Sequence, residues 1–455
     1  MTPDERLASV LPKGALYAVG GRVRDEVRER LQNEQIPVKD FDYVVTGVPF
    51  EDLRERLERA GRVDLVGASF AVFKVTFDGT TVDVGLPRRE RSTGTGHRAF
   101  EVEGGPEVPL EDDLGRRDFR MNAMARALPS GELVDPYHGE EDVRARRIDV
   151  ITERAFEEDP LRMLRAAQFA ARFEYALTPR TLAAMRAAAP LVATVSGERV
   201  AEELTKLLAR AHKPSIGLEI LRETGVLAVL CPELVEGVGV EQNEWHAYDV
   251  WRHSLETMDA APREDLVLRL AALLHDVGKP RAKEGPHFYR HEQIGAEMTL
   301  EMLRRLRFSN EVADTTAHLV RSHMYSADPE LSDAALRRAI RRVGVEHLGR
   351  QFALRHADIA GSGLPKRDDS NERFEARVWE EVARKPAFSI ADLAIGGDDV
   401  IAAMIDSGVA PSGFRGDARV GELLRVLFEQ VTEQPQRNER QSLLALLDEH
   451  LRSRR

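Results

Sequence analysis

Short apolar runs alternate with charged, amphipathic stretches over the first 150 residues; from residue 151 onward helix formers with apolar positions three or four apart replace them. Residues 16–19 (LYAV) predict a strand that runs into Gly20 and Gly21, and the charged stretch after them predicts a helix. Asp40-Phe41-Asp42-Tyr43-Val44-Val45 returns to strand alternation, with Phe41 facing away from the two aspartates into a core. Residues 50–61 predict an amphipathic helix, and residues 71–77 and 81–84 predict two strands joined by an Asp78-Gly79 hairpin turn. Residues 88–109 contain glycines and few large apolar groups, which predicts a mobile loop. Residues 110–125 predict an apolar helical run with Arg116, Arg117 and Asp118 where it begins.

In the helical part, Pro160 suits a first helical turn and Asp159 its cap, with the helix continuing through MLRAAQFAARF. Further helices are predicted over 179–191, 196–211 and 215–230. The apolar stretch 266–274 ends in His275-Asp276-Val277-Gly278-Lys279, residues 361–371 read as an exposed loop, and 389–455 as a helical tail. The fold class is α+β: a mixed-sheet head over 1–150, a helical neck over 151–235, a histidine-rich helical domain over 236–365 and a helical tail over 366–455.

Net charge of −12 and a pI near 5.7 weigh against broad, nonspecific nucleic-acid binding, so an RNA surface has to be a local basic patch. The arginine-rich stretches 144–172 and 337–355 are candidates, or else solvated helix faces. One cysteine, Cys231, excludes a disulfide framework and a thiolate cluster and fits a reducing compartment. There is no run of about 18 apolar residues, and MTPDERLASV does not read as a signal peptide. The expectation is a cytoplasmic protein with no membrane partner; its oligomeric state is open.

Strand, Gly-Gly, helix, then a strand carrying Asp-x-Asp is an ordered combination with a chemical reading. Paired glycines let the backbone approach a phosphate, and a helix N-terminus offers it a positive dipole end. Asp40 and Asp42, two apart on a strand, share a face and suit one or two Mg²⁺ ions; each alone is equally a solvated strand-edge acid. Asp83 sits on a neighbouring strand and brings the carboxylates to three. Arg116 and Arg117 offer a grip on a triphosphate or ribose, with Asp118 to orient one of them, or a charged helix cap. Asp159 and Arg162 are three apart and point from one helix face. A carboxylate that accepts from an exocyclic amine, beside a guanidinium that donates to a ring atom, selects cytosine or adenine. Without the head, the same pair reads as a helix-terminal ion pair.

Nine of the thirteen histidines fall between His246 and His356. His253, the adjacent His275 and Asp276, and the distant Asp358 form a mixed N/O set suited to a divalent ion with open positions. His291, His318 and His323 are candidates for a second metal or for substrate.

Together these stretches resemble the bacterial class II tRNA nucleotidyltransferases, the CCA-adding enzymes and their poly(A) polymerase relatives. Gly20, Gly21, Arg24 and Asp25 with Asp40 and Asp42 resemble the first motif, and Arg116-Arg117-Asp118 with Asn122 the ribose- and triphosphate-contacting one. Gly139 to Asp142 resembles the hinge, Glu158-Asp159 with Arg162 the nucleobase-reading motif, and Ser196-Gly197-Glu198-Arg199 the motif that follows. The resemblance implies nucleotide binding by these residues and Arg165, with CTP and ATP as substrates and the tRNA acceptor end as partner. The region from His253 to Asp358 resembles the HD phosphohydrolase domain, which implies a second divalent metal and phosphatase or 2′,3′-cyclic phosphodiesterase activity in end repair. Arg120 and Met121 stand where a threonine and an isoleucine are more usual. CC-only, A-only or poly(A) addition keeps the fold and changes the product. A protein-modifying uridylyltransferase also joins such a head to an HD domain, but the amine-reading pair disfavours UTP. A silent RNA-binding or metabolite-sensing protein would not need both ligand sets.

Overall fold

Every second residue of Val72–Phe77 is buried: Phe73, Val75 and Phe77 point into the core and Lys74 to the other face. The helix Phe50–Ala60 buries Leu53, Leu57 and Ala60, and Phe50 meets the Phe73 ring at 4.9 Å. Each large apolar side chain buried here contributes about 1.5–3 kcal/mol. In chain order the strands are β1 (Leu16–Val19), β2 (Asp42–Val45), β3 (Arg62–Val66), β4 (Val72–Phe77), β5 (Thr80–Gly85), β6 (Arg88–Ser92), β7 (Phe100–Gly104), β8 (Ala125–Ala127) and β9 (Leu133–Val134). Seven of them form one mixed sheet in the order β3-β4-β5-β2-β1-β8-β9. The β2–β5 pair is parallel, and its register sets Asp42 opposite Asp83. Lys74 on β4 is the antiparallel partner of Asp83.

The computed structural model describes residues 1–33, 36, 41–66, 72–92, 100–285, 287–366 and 368–453, and Asp40 lies outside them. The chain forms two compact units. The first holds residues 1–238 with short returns at 263–266 and 302–309, so the sheet and the helices up to Val235 share one unit. The second holds the remaining residues and is mainly helical. Among the described residues no helix is long and apolar enough to cross a membrane.

Several expectations change. Residues 88–109 contain a two-stranded antiparallel hairpin, β6 with β7, where a loop is predicted. Its strands carry arginine and glutamate at most positions, so the apolar alternation that marks a strand is missing. Arg116, Arg117 and Asp118 do not begin a long helix: the helix Leu110–Gly115 ends before them, and only a 3₁₀ turn, Arg120–Asn122, follows. Asp159 ends the short helix Ala155–Glu158, and the next helix, Arg162–Phe173, starts after Pro160 and Leu161. The 215–230 helix is broken in two at Gly225, whose φ of +81° no helix accommodates. Phe41 is half-buried, with the Arg22 guanidinium 5.2 Å from its ring centre, rather than in a core. The arginine-rich stretch 337–355 is largely spoken for within its own unit: Arg337 bonds Glu381, Arg338 bonds Glu433 and Arg341 bonds Glu429.

Candidate functional site

In the first unit a cleft of about 350 Å³ is lined by Gly20, Gly21, Arg24, Asp42, Arg117 and Asp118, and further by Asn122, Asp159, Arg162, Arg165 and Phe169. Gly20 holds φ +76° as the residue before the helix Gly21–Gln32, and a Cβ there would lie 3.1 Å from Arg117 Nη1 and 3.6 Å from Asp42 Oδ2. The chain therefore needs glycine where the start of this helix meets Arg117 and the Asp42 carboxylate.

The floor of the cleft is one connected polar network. Arg24 donates to both Asp25 carboxylate oxygens at 2.9 and 3.0 Å and to Asn122 Oδ1 at 2.8 Å. Asn122 donates to Asp118 Oδ1 at 2.8 Å, and Arg165 donates to Asp118 Oδ2 at 2.8 Å. Burial alone would raise the Asp118 carboxyl, but the Arg165 guanidinium and the Asn122 amide outweigh it and hold it below the usual carboxylate range. Arg24 also lies over the Phe173 ring at 4.7 Å.

At the other end of the cleft, Asp159 and Arg162 do not bond each other. Asp159 accepts from Arg199 Nη2 at 2.9 Å, while Arg162 bonds Glu158 at 3.1 Å and the carbonyls of Ala155 and Arg116. Both side chains line the cleft from separate supports. Arg116, Asp25, Glu158 and Asp83 do not line it. Arg116 and Arg117 are both tied to the fully buried Asp113. Arg199, Glu203, which receives Arg165 at 3.6 Å, and Lys74 on Asp83 at 3.0 Å were not expected as site residues. Arg199 lies in the Ser-Gly-Glu-Arg stretch, which was the available signal; Lys74 becomes visible only through strand register.

The carboxylates fit divalent metal. Asp42 and Asp83 project from one face of adjacent strands, and the Lys74 ammonium already supplies Asp83 with a positive charge.

The second unit builds a separate centre. His253 stands on the helix Val250–Ala260, which Asp249 caps by accepting from Arg252 N at 2.8 Å. His275 and Asp276 follow the helix Leu266–Leu274. Gly278 lets the next turn touch the start of the helix His291–Arg305, since a Cβ there would lie 2.3 Å from the His291 carbonyl. That contact explains the glycine of the Val-Gly-Lys after His-Asp, and it brings His291 beside Asp276.

Two ligand groups share Asp276: His253 and His275 on one side, His291 and His323 on the other. Its Oδ2 lies 3.1 Å from His275 Nε2 and its Oδ1 3.4 Å from His291 Nε2. Asp358 Oδ1 stands 3.1 Å from His253 Nε2, and His246 joins that group. The Nδ1 atoms of His253, His275, His291 and His323 each face a backbone carbonyl, at 3.2, 2.9, 2.8 and 2.7 Å. A carbonyl only accepts, so each Nδ1 carries the proton and each Nε2 of a neutral ring presents a lone pair. Yet the Nε2 atoms approach in pairs, 3.1 Å for His253–His275 and 3.2 Å for His291–His323. Facing lone pairs want a shared cation, so this donor set fits divalent metal. Burial would raise Asp276, but the Lys279 ammonium, whose Nζ is 2.6 Å away, helps to hold it well below the carboxylate range. Of the three further histidines expected, His291 and His323 join the centre; His318 does not, and its Nε2 lies 2.6 Å from the Val343 carbonyl.

Residues 16–149 match the Poly A polymerase head domain, residues 174–237 the "Probable RNA and SrmB- binding site of polymerase A", and residues 246–372 the HD domain. The chain is 38% identical over 353 residues to the multifunctional CCA protein of Cupriavidus metallidurans, covering 74% of this chain and 82% of that one. It is 39% identical over 316 residues to that of Nitrosococcus oceani, covering 68% and 74%. Among solved structures, the Bacillus stearothermophilus CCA-adding enzyme in complex with CTP is similar over 100% of this chain and 99% of that one, at a TM-score of 0.68 and 26% identity. The Thermotoga maritima CCA-adding enzyme complexed with tRNA shares the fold, at a TM-score of 0.52 and 19% identity. With the head, the RNA-binding region and the HD domain in one chain, and relatives of this likeness, the protein belongs to the multifunctional CCA protein family of tRNA nucleotidyltransferases.

Proposed function

We propose that the chain builds the CCA end of tRNA, transferring CMP and AMP from CTP and ATP to the 3′-hydroxyl with release of pyrophosphate. The observation that carries this reading is the single cleft that joins Asp42 and the Gly20-Gly21 cradle to Asp159 and Arg162. Asp42 and Asp83, with Asp40 as the third member, are the proposed Mg²⁺ ligands. Bound Mg²⁺ supplies the positive charge that lowers the pKa of the 3′-hydroxyl and neutralises the triphosphate.

The protein's own groups do the rest. The backbone N–H groups at the start of Gly21–Gln32 receive phosphate oxygens. Arg24 and Arg117 face the same anion from the cleft wall, while Asn122 and Asp118 lock Arg24 and Arg165 in place. Asp159 accepts from the exocyclic amine of cytosine or adenine. Three bonds to its supports leave Arg162 two of five N–H donors for the base edge.

For the HD centre the proposed activity is hydrolysis of 3′-terminal phosphate or 2′,3′-cyclic phosphate. His253, His275, Asp276 and Asp358, with His246, His291 and His323, would hold the metal, which supplies an activated water and charge for the phosphate. Lys279 and Arg355 line the same cleft as cations for phosphate oxygens.

Transcripts ending at the discriminator base, at C and at CC, incubated with CTP and ATP separately and together, test the transferase. Addition of C, C and A, abolished by Asp42→Ala, is expected. Stopping at CC, or use of the CC end alone, replaces it with a split-specificity enzyme. Release of phosphate from 3′-phosphorylated ends tests the HD centre.

A further inference from the structure

The HD centre opens into a cleft of about 710 Å³, a volume that suits a nucleotide-sized ligand better than a bare phosphate. Its floor carries the metal-ligating cluster, and Lys279 and Arg355 add cations. Its rim is of another character. Trp245, 50% exposed, Met324, 53% exposed, and Leu364 all line this one cleft. Large apolar groups about half exposed beside a polar floor mark a binding surface.

Trp245 is also held in position. Its backbone N–H donates to Asn243 Oδ1 at 3.2 Å, and the same oxygen lies 3.1 Å from Nδ1 of His246, a member of the ligand cluster. Two residues on, Ala247 N donates to the Ser362 carbonyl at 2.8 Å. Gly363 lies against Tyr248 with φ +75°; a Cβ there would sit 2.6 Å from the Tyr248 ring and 2.9 Å from Ala247 Cβ. Gln242 bonds the Tyr248 carbonyl at 3.2 Å and receives Lys279 Nζ at 2.6 Å. The strip bearing Trp245 is thus tied at both ends to residues around the centre.

We propose that Trp245 is a stacking platform for a nucleobase, so that the HD centre takes a nucleotide or RNA 3′ end with its terminal base on the indole and its phosphate over the histidine–aspartate floor. An indole face accepts any base, through stacking that tolerates sequence, and this matches a centre that must handle whatever nucleotide a damaged end presents. The proposal rests on the phosphohydrolase reading of the centre. Trp245 binds and positions; it does no chemistry.

The test compares adenosine 2′,3′-cyclic phosphate with 1-O-methylribose 2′,3′-cyclic phosphate, which lacks the base, using full-length protein supplied with Mn²⁺, Ni²⁺ or Co²⁺. Trp245→Ala is expected to lower the preference in kcat/KM for the base-bearing substrate by about tenfold, mainly through KM, and Trp245→Phe to restore most of it. An independent readout is indole fluorescence: adenosine 2′-phosphate should quench the metal-free protein, and the quench should vanish in Trp245→Phe although Trp251 and Trp379 remain. An unchanged preference in Trp245→Ala, or a quench that survives in Trp245→Phe, overturns the proposal. Should the wild-type protein hydrolyse neither substrate, the phosphohydrolase reading falls, and quenching alone then decides whether the indole binds a base.

Discussion

Asp42 and Asp83 are register partners on a parallel pair of strands, so two carboxylates forty-one positions apart in the chain stand side by side on one sheet face. Lys74, Asp83's partner on its other flank, places an ammonium 3.0 Å from it. Asp42→Asn and Asp83→Asn should each lower nucleotide incorporation by more than the about 10–100-fold typical of an outer-shell partner, leaving phosphatase activity intact. Lys74→Met removes a competitor for the Asp83 carboxylate and should lower the Mg²⁺ concentration that gives half-maximal incorporation. An increase in that concentration would show instead that Lys74 binds substrate.

Asp159 is aimed by Arg199, 2.9 Å away. Arg199→Ala should let the carboxylate swing and reduce discrimination against UTP by about tenfold, the equivalent of about 1.4 kcal/mol. Primer-extension assays with CTP, ATP and UTP on a CC-ended tRNA measure this. A uniform loss with all three nucleotides would assign Arg199 to phosphate or RNA instead.

Asp276 stands between two histidine pairs, and the two pairs should therefore respond differently to substitution. His291→Ala with His323→Ala should lower the metal content left after dialysis, and Asp276→Ala, which takes a ligand from both groups, should lower it further. Incorporation of CMP and AMP by the same proteins should be unchanged.

Acid should act through Asp118. Its folded carboxyl lies below the ordinary value, so its contribution to stability is complete above the unfolded pKa near ~4 and disappears as pH falls through the folded value. Asp118→Asn should cost about 3 kcal/mol at pH 7, because it strips Arg165 of a buried partner. Part of that difference from wild type should vanish in melts taken below about pH 4. A constant difference at every pH would mean that the amide substitution acts through packing alone.

Much of this was legible along the chain, and the rest was hidden for physical reasons. The strand, Gly-Gly and helix of residues 16–32 announce themselves, because glycine and apolar periodicity act locally. His253, His275, Asp276 and Asp358 could be grouped from their spacing around an apolar helix, and they do assemble. The partners of Asp159 could not be read, because Arg199 comes from a helix forty residues on and wins the carboxylate from the nearer Arg162. The β6–β7 hairpin was missed because charged residues occupy positions where alternation normally reveals a strand. His246 lacked a signal of its own; it reaches the cluster only because the strip around it folds back beside His253.

A lysine accompanies a metal-suited carboxylate in each unit: Lys74 beside Asp83, and Lys279 beside Asp276. These ammonium groups act as resident stand-ins, so no carboxylate there has to wait for an ion before the chain can settle. Chelation should accordingly silence both chemistries, leaving the first unit's melting almost where it was while the facing histidine nitrogens lower that of the second. A first unit that loses its ion should therefore take it up again without refolding.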